Sequence, residues 1–171
     1  MAKFIEAYQR VIMNEGIYSN DPDDKGGRTV MGISEKNFPA WDGWKIVDKL
    51  STSKEIATNQ ELQLKVQAFY LNNFWNAISG DEIISQEKAN SIFDFAVNTG
   101  VKTAVRLAQT VCGITSDGVV GKNTISVLNT THDRIFIAEY KLAKIARYCD
   151  IVDNNQSQIK FLKGWIKRAL K

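Results

Sequence analysis

The sequence predicts a mainly α fold with one small β-hairpin after the first helix. Two observations indicate this class. Apolar residues recur at helical spacing through most of the 171 residues, as they do on the buried side of amphipathic helices. Turn-forming residues are concentrated in one early segment, residues 20–27, and a short β-branched stretch follows it.

The first helix is predicted near the N-terminus, where apolar side chains fall on one helical face. They are Phe4, Ile5, Tyr8, Val11 and Ile12. Glu15 continues this face, and Gly16 follows it in the position of a helix stop. Tyr18 then precedes the turn segment, and residues 28–33 are predicted as a single strand. Together these residues predict the hairpin.

Helical patterns continue through the rest of the chain. They cover a short helix capped by Ser53, then residues 61–78, a segment capped by Ser85 that runs to residue 97, and residues 101–112, 124–128, 132–148 and 156–169. Trp41 to Trp44 are predicted to be an irregular connection. Because there is no internal repeat or long linker, we expect one domain over residues 1–171. Its segments 1–84 and 85–171 are expected to share a core.

Composition limits the location and partners of the protein. No apolar run approaches the roughly 18 residues of a membrane span, and Glu6, Gln9 and Arg10 interrupt any signal core. We therefore expect cytoplasmic synthesis and release through a phage-type holin pore or by lysis. The net charge is +3, with positive charge concentrated after residue 133, which favours an anionic cell wall or membrane surface. No nucleic-acid motif accompanies it, so nucleic acid is not an expected partner.

The residue inventory favours carboxylate chemistry. The chain has one histidine, His132, and two cysteines, Cys112 and Cys149. A zinc amidase needs several such ligands, and a Cys–His or serine hydrolase would depend on His132 without any local signature. We therefore expect no metal and no organic cofactor. His132 is predicted to lie near a helix start.

Glu15 and the Asp-rich turn fit acid-catalysed cleavage of a sugar–sugar bond, which needs two carboxyl groups in different environments. A carboxyl group on the apolar side of a helix loses hydration, which favours its protonated form and suits a general acid. The alternative is a surface glutamate at a helix end that reaches water.

At these residues the chain resembles a known family. EGIYSNDPDDKGGRTVMGI, residues 15–33, is similar to the signature of the glycoside hydrolase family 108 N-acetylmuramidases, which belong to the lysozyme superfamily. Phe69-Tyr70, Phe74-Trp75, FDFAVNTG from Phe93, DGVVGKNT from Asp117 and GWIKR from Gly164 are similar to later family motifs, the DGVVGKNT stretch to a predicted peptidoglycan-binding segment. The sequence departs from the family at Ile17, Lys25, Val30 and Met31.

The resemblance implies a lysozyme-like domain that hydrolyses the β-1,4 bond between N-acetylmuramic acid and N-acetylglucosamine. Glu15 would be the general acid and Asp24 the second carboxylate, although Asp21 and Asp23 are rivals for that role. Thr29 would position the attacking water. Gly26 and Gly27 would serve the geometry of the loop.

Further residues are candidates for substrate binding. Tyr18, Tyr70 and Trp75 could line a cleft, although core packing is the favoured interpretation of Tyr70 and Trp75. Asp94 and Asn98, on the polar side of the central motif, could contact substrate or support the Glu15 loop.

Two alternatives to a muramidase stay open. One is a lytic transglycosylase, which uses one catalytic acid and closes a 1,6-anhydro ring. The other is a non-catalytic protein that binds peptidoglycan or regulates secretion. The stereochemical outcome depends on the carboxylate separation, which the sequence leaves undetermined.

Overall fold

The computed structural model describes residues 1–13, 15–20 and 27–170 of the chain. Over these residues the protein is mainly helical, with a small antiparallel sheet after the first helix. The helices are α1 (Phe4–Ile12), α2 (Trp44–Val47), α3 (Ser53–Thr58), α4 (Gln60–Tyr70), α5 (Gln86–Thr99), α6 (Val101–Val111), α7 (Lys122–Thr130), α8 (Asp133–Asn154) and α9 (Ile159–Leu170). The predicted fold class is confirmed. No helix within this part of the chain has the length and hydrophobicity to span a membrane.

The sheet has three strands instead of the two of a simple hairpin. These are β1 (Tyr18–Ser19), β2 (Thr29–Val30) and β3 (Ile33–Ser34), in the order β1-β2-β3. The single strand predicted over residues 28–33 is therefore wrong, because the backbone reverses between β2 and β3.

The chain divides into two compact units. The N-terminal unit is Lys3–Asn76, and the C-terminal unit is Met1–Ala2 with Ala77–Lys171. The organisation predicted from the sequence, one domain over residues 1–171 with a shared core, stays a prediction.

The N-terminal unit has an apolar core formed by α1, the sheet and α4. Its buried side chains include Ala7, Tyr8, Val11, Val30, Ile33, Leu62, Val66 and Phe69. The helix predicted over residues 61–78 is not regular: after α4 the chain forms a π-helical segment, Leu71–Trp75. Because a π-helix has more residues per turn, it rotates the side chains that follow. Trp75, at its end, is fully buried.

Two local predictions in the N-terminal unit are wrong. Thr52, not Ser53, caps α3, because Glu55 completes a capping box with Thr52: each side chain bonds the backbone N–H of the other residue. Trp44 begins α2 instead of lying in an irregular connection. Its indole nitrogen donates to the carbonyl of Phe38 at 2.9 Å, which holds the start of the helix.

The C-terminal unit is built around α8. This helix contacts α5, α6 and α9, and its buried residues include Phe136, Tyr140 and Tyr148. Ser85 caps α5 as predicted, accepting from the backbone N–H of Lys88 at 3.4 Å. Gly100, with φ 89°, separates α5 from α6. His132 lies directly before α8, as the sequence predicted.

Candidate active site

The connection between β2 and β3 is a tight turn at Met31 and Gly32, the Met31/Gly32 turn. Val30 pairs with Ile33 across it. Both turn residues have positive φ, 44° at Met31 and 80° at Gly32, as in the type I′ turns that join twisted strands. Glycine adopts this conformation without cost, whereas for methionine it costs about 1–2 kcal/mol.

Three hydrogen bonds hold Met31 in this conformation. Its backbone N–H donates to the carbonyl of Ile17 at 3.0 Å. Its carbonyl accepts from the hydroxyl of Tyr70 at 2.8 Å, and its sulfur accepts from Nε2 of Gln63 at 3.5 Å. The side chain is 5% exposed. The carbonyl of Ile17, which precedes β1, and two groups of α4 thus compensate for the unfavourable backbone conformation of this residue.

Glu15 lies against the Met31/Gly32 turn. A methyl group at Gly32 would lie 3.0 Å from Oε2 and 3.2 Å from Cδ of Glu15, and it would collide with the hydroxyl of Tyr70. The carboxyl group of Glu15 and the hydroxyl of Tyr70 therefore share the space that the missing side chain of Gly32 leaves open. Glu15 itself is partly exposed, so it is accessible while it rests on a fixed part of the backbone.

Glu15 is not part of the first helix, in contrast to the sequence prediction. Helix α1 ends at Ile12, and the backbone N–H of Glu15 donates to the carbonyl of Ile12 at 3.2 Å, as in a tight turn. Asn14 and Gly16, its sequence neighbours, have low helix propensity. The chain therefore leaves the helix before the position where Gly16 was expected to stop it.

Tyr18, Gly27 and Thr29 lie on or beside the small sheet. Tyr18 is half-buried in β1 and pairs with Val30. Thr29 lies in the central strand, and its hydroxyl donates to the carbonyl of Gly27 at 3.3 Å. Gly27 has φ 70°, a conformation that favours glycine. Asp24 and Gly26, and the rival carboxylates Asp21 and Asp23, lie outside the residues that the structure describes.

Tyr70 and Trp75 pack in the core, the interpretation that the sequence favoured. Tyr70 is 1% exposed and Trp75 is 0% exposed. Trp75 packs on Phe4 with ring centroids 5.8 Å apart, and Tyr70 packs edge-on against Tyr8 at 5.7 Å. Neither ring offers an open face on which a sugar could stack, so the structure gives no support to their predicted role as cleft walls.

Asp94 and Asn98 lie on α5 and bond to other helices of the C-terminal unit. Asp94 forms an ion pair with Arg168 of α9 at 3.0 Å. Asn98 is exposed, and its amide donates to the hydroxyl of Tyr148 at 2.7 Å. These contacts join three helices, and a role of either residue towards substrate stays a prediction.

Arg28 is a residue whose importance the sequence did not indicate. Its guanidinium binds Glu35 at 2.7 Å and Asp48 at 2.6 Å, and it lies 4.9 Å from the ring centroid of Trp44. The hydrogen bonds that its guanidinium donates to the carboxylate of Glu35 are the main cause that raises the pKa of Arg28. Arg28 thereby fixes the start of β2 to α2. The sequence offered one indication of this role, the position of Arg28 directly before Thr29 in the motif of residues 15–33.

No three His, Cys, Asp or Glu side chains are grouped so that they could hold a metal ion, within the part of the chain that the structure describes. At the Met31/Gly32 turn, among the described residues, Glu15 supplies a carboxyl group next to the small sheet.

Comparisons with known proteins identify the class to which this fold and site belong. The glycosyl hydrolase 108 family model matches residues 8–100, and a predicted peptidoglycan domain matches residues 103–170. The chain belongs to the glycosyl hydrolase 108 family. The two matches support a role in hydrolysing or binding peptidoglycan.

A solved structure agrees with this assignment. It is described as the structure of SagA from Brucella abortus, and it is 30% identical in sequence to this chain. The match covers 97% of this chain and 88% of that one, with a TM-score of 0.74. The fold is thus lysozyme-like, as the sequence motifs predicted. A search of curated proteins gave no match.

Proposed function

We propose that the protein is an N-acetylmuramidase that hydrolyses the β-1,4 bond between N-acetylmuramic acid and N-acetylglucosamine in peptidoglycan. The observation that carries the proposal is the position of Glu15 in a chain of the glycosyl hydrolase 108 family: its carboxyl group is partly exposed and rests on the Met31/Gly32 turn. Glycosidic cleavage needs a positioned carboxylic acid that can protonate the leaving oxygen.

In this mechanism Glu15 donates its proton to the glycosidic oxygen as the bond to the muramic acid carbon breaks. A second carboxylate is needed to activate water or to stabilise the oxocarbenium-like transition state. We assign this role to Asp24, on the motif that it shares with the family. Thr29, in the central strand next to this loop, would hold the attacking water through its hydroxyl.

The C-terminal residues 103–170 would retain the enzyme on its polymeric substrate. They match a predicted peptidoglycan domain, and α9 carries exposed lysines, including Lys160, Lys163 and Lys167. Positive charge favours association with an anionic wall at low ionic strength. Binding of the glycan strand by these residues would raise its concentration near Glu15 without adding chemistry.

The test is mass spectrometry of the fragments released from purified peptidoglycan by the wild type and by Glu15→Gln. The variant keeps the size of the side chain and removes its acid. We expect the wild type to release fragments with reducing N-acetylmuramic acid ends, and Glu15→Gln to release none. Glu6→Gln is the matched control, because Glu6 is an exposed glutamate on α1, and it should cleave like the wild type.

Each other outcome changes either the class of protein or the residue that acts as the acid. Fragments with 1,6-anhydro ends would make the protein a lytic transglycosylase. A wild type that binds sacculi but releases nothing at any pH would be a non-catalytic binding or regulatory protein. Cleavage that persists in Glu15→Gln would reject Glu15 as the acid while leaving the family assignment intact.

A further inference from the structure

We propose that Tyr70 is a positioning residue for Glu15: its hydroxyl fixes the Met31/Gly32 turn, and the turn fixes the carboxyl group of Glu15. This inference rests on the proposed function of Glu15 as the general acid. It assigns Tyr70 a part in the reaction without contact with substrate, in agreement with its 1% exposure.

The hydroxyl of Tyr70 is itself rigidly placed. Tyr70 is the last residue of α4, and its ring packs edge-on against Tyr8 at 5.7 Å and against Phe69 at 5.8 Å. The hydrogen bond that it donates to Met31 is buried. Because the bond is buried, removal of the hydroxyl takes a donor from the carbonyl of Met31 at a site shielded from solvent, where the loss costs more than at the surface.

The Met31/Gly32 turn needs such an anchor. Met31 has φ 44°, in the left-handed region that residues with a Cβ seldom adopt. A conformation of this kind persists only where its surroundings hold it, and such residues are concentrated at functional sites. The bond from Tyr70 comes from a residue 39 positions away, so the tertiary fold, not the local sequence, holds the turn.

The carboxyl group of Glu15 lies next to the turn. Gly32 has φ 80° and no side chain, and Oε2 of Glu15 lies 3.0 Å from the position that a Cβ atom would take there. The hydroxyl of Tyr70 lies beside the same space. A displacement of the turn would therefore move the surface on which the carboxyl group rests, and a shift of about 1 Å in a catalytic group can reduce the rate about 100-fold.

The first experiment compares steady-state kinetics of the wild type, Tyr70→Phe and Tyr8→Phe on soluble peptidoglycan glycan strands. We expect Tyr70→Phe to lower kcat by about 10- to 100-fold and to leave KM within about twofold of the wild type, since positioning acts on the transition state and not on ground-state binding. Tyr8→Phe removes a hydroxyl from the same aromatic cluster, but not the bond to Met31. It should keep the kcat of the wild type.

A second experiment acts on the turn itself, and its first variant, Gly32→Ala alone, keeps the proposal testable if Tyr70→Phe does not fold. Gly32→Ala adds a methyl group towards both Glu15 and Tyr70, and we expect it to lower kcat without raising KM. In the Tyr70→Phe background the methyl group no longer meets the hydroxyl. The further loss caused by Gly32→Ala should therefore be smaller there than in the wild type, which a double-mutant cycle measures.

Three results would overturn the inference. The first is a folded Tyr70→Phe variant with the kcat of the wild type. The second is a raised KM at unchanged kcat, which would make Tyr70 a residue of substrate binding. The third is a folded Gly32→Ala variant with the kcat of the wild type or, where Tyr70→Phe also folds, strict additivity of the two losses. A wild type that releases no muramic acid fragments would instead refute the proposed function, and this is seen before any variant is made.

Discussion

Replacement of Lys144 by methionine is expected to abolish a rise in stability between pH 8 and pH 10. Lys144 lies on α8 and is 4% exposed. Its ammonium group donates to the hydroxyl of Ser91 at 3.0 Å and lies over the rings of Phe95 and Tyr140, 5.9 and 5.1 Å from their centroids. Burial lowers the pKa of Lys144 from 10.5 to about 8, although the negative charge of Asp94 opposes this effect.

The sign and size of the effect follow from proton linkage. Between pH 8 and 10.5 the unfolded chain keeps a proton on Lys144 that the folded chain has released, so the free energy of unfolding rises with pH. A difference of about 2.5 between the two pKa values corresponds to about 3 kcal/mol, of which about 2.5 kcal/mol is gained by pH 10. Below about pH 7 both states are protonated and the contribution is constant.

The assay is urea unfolding followed by circular dichroism at pH 7, 8, 9 and 10. It stops at pH 10 because burial raises the pKa of Tyr140 and of Tyr148, and their ionisation in the unfolded chain lowers stability at higher pH. Lys163→Met, at an exposed position of α9, controls for the loss of one positive charge. If wild type and Lys144→Met change in parallel with pH, Lys144 does not titrate in this range and the linkage reasoning is refuted.

Three further predictions concern residues that hold the fold together. Arg28→Lys should lower the free energy of unfolding by about 1–2 kcal/mol, because a lysine cannot reproduce the two parallel hydrogen bonds to Glu35 and the stacking on Trp44. The urea midpoint measures this loss of stability. Gln109→Leu should speed amide hydrogen exchange in residues 117–121, because the side-chain amide of Gln109 binds groups of this loop. Lys88→Met should lower the free energy of unfolding by about 3 kcal/mol in the same urea assay. The buried ammonium group of Lys88 donates to backbone carbonyls at the end of α7 and pairs with the exposed carboxylate of Asp133.

These predictions have separate controls. Lys45→Arg, on the exposed surface of α2, should leave the urea midpoint unchanged, and an equal loss there would mean that exchange between lysine and arginine lowers stability without the contacts specific to Arg28. Unchanged hydrogen exchange in Gln109→Leu would mean that residues 117–121 keep their structure without the bonds to Gln109. An unchanged midpoint in Lys88→Met would show that apolar packing compensates fully for the lost bonds, as it does for some buried ion pairs.

Local sequence signals were sufficient wherever one residue type or one periodicity decides the outcome. The apolar spacing of residues 101–112 predicted α6, and Ser85 predicted the start of α5, which Gly100 follows with a positive φ. Each of these depends on neighbours within a few positions, through intrahelical bonds, a capping oxygen or a positive φ. The ordered motifs likewise led to the family and to the fold.

The small sheet shows where this kind of inference fails. Methionine is not a turn former, so residues 28–33 had the pattern of one strand. The reversal at Met31 is held by hydrogen bonds to Tyr70 and Ile17. Both residues lie outside the segment 28–33, so its local pattern could not indicate the reversal. The same holds for Trp75, whose burial follows a π-helical segment, and for Lys144, whose length and charge gave no sign that it lies in the core. The identity of the second carboxylate, Asp24 or a neighbour, is still a prediction from the motif.

The sequence by itself determined the helical class, the family and the candidate acid Glu15, because these depend on residue types at fixed short spacings. Only the tertiary structure decided where the carboxyl group of Glu15 lies. Its position depends on a left-handed turn that the backbone of Met31 would not adopt alone, and on a buried hydroxyl from α4 that compensates for the energetic cost of that turn.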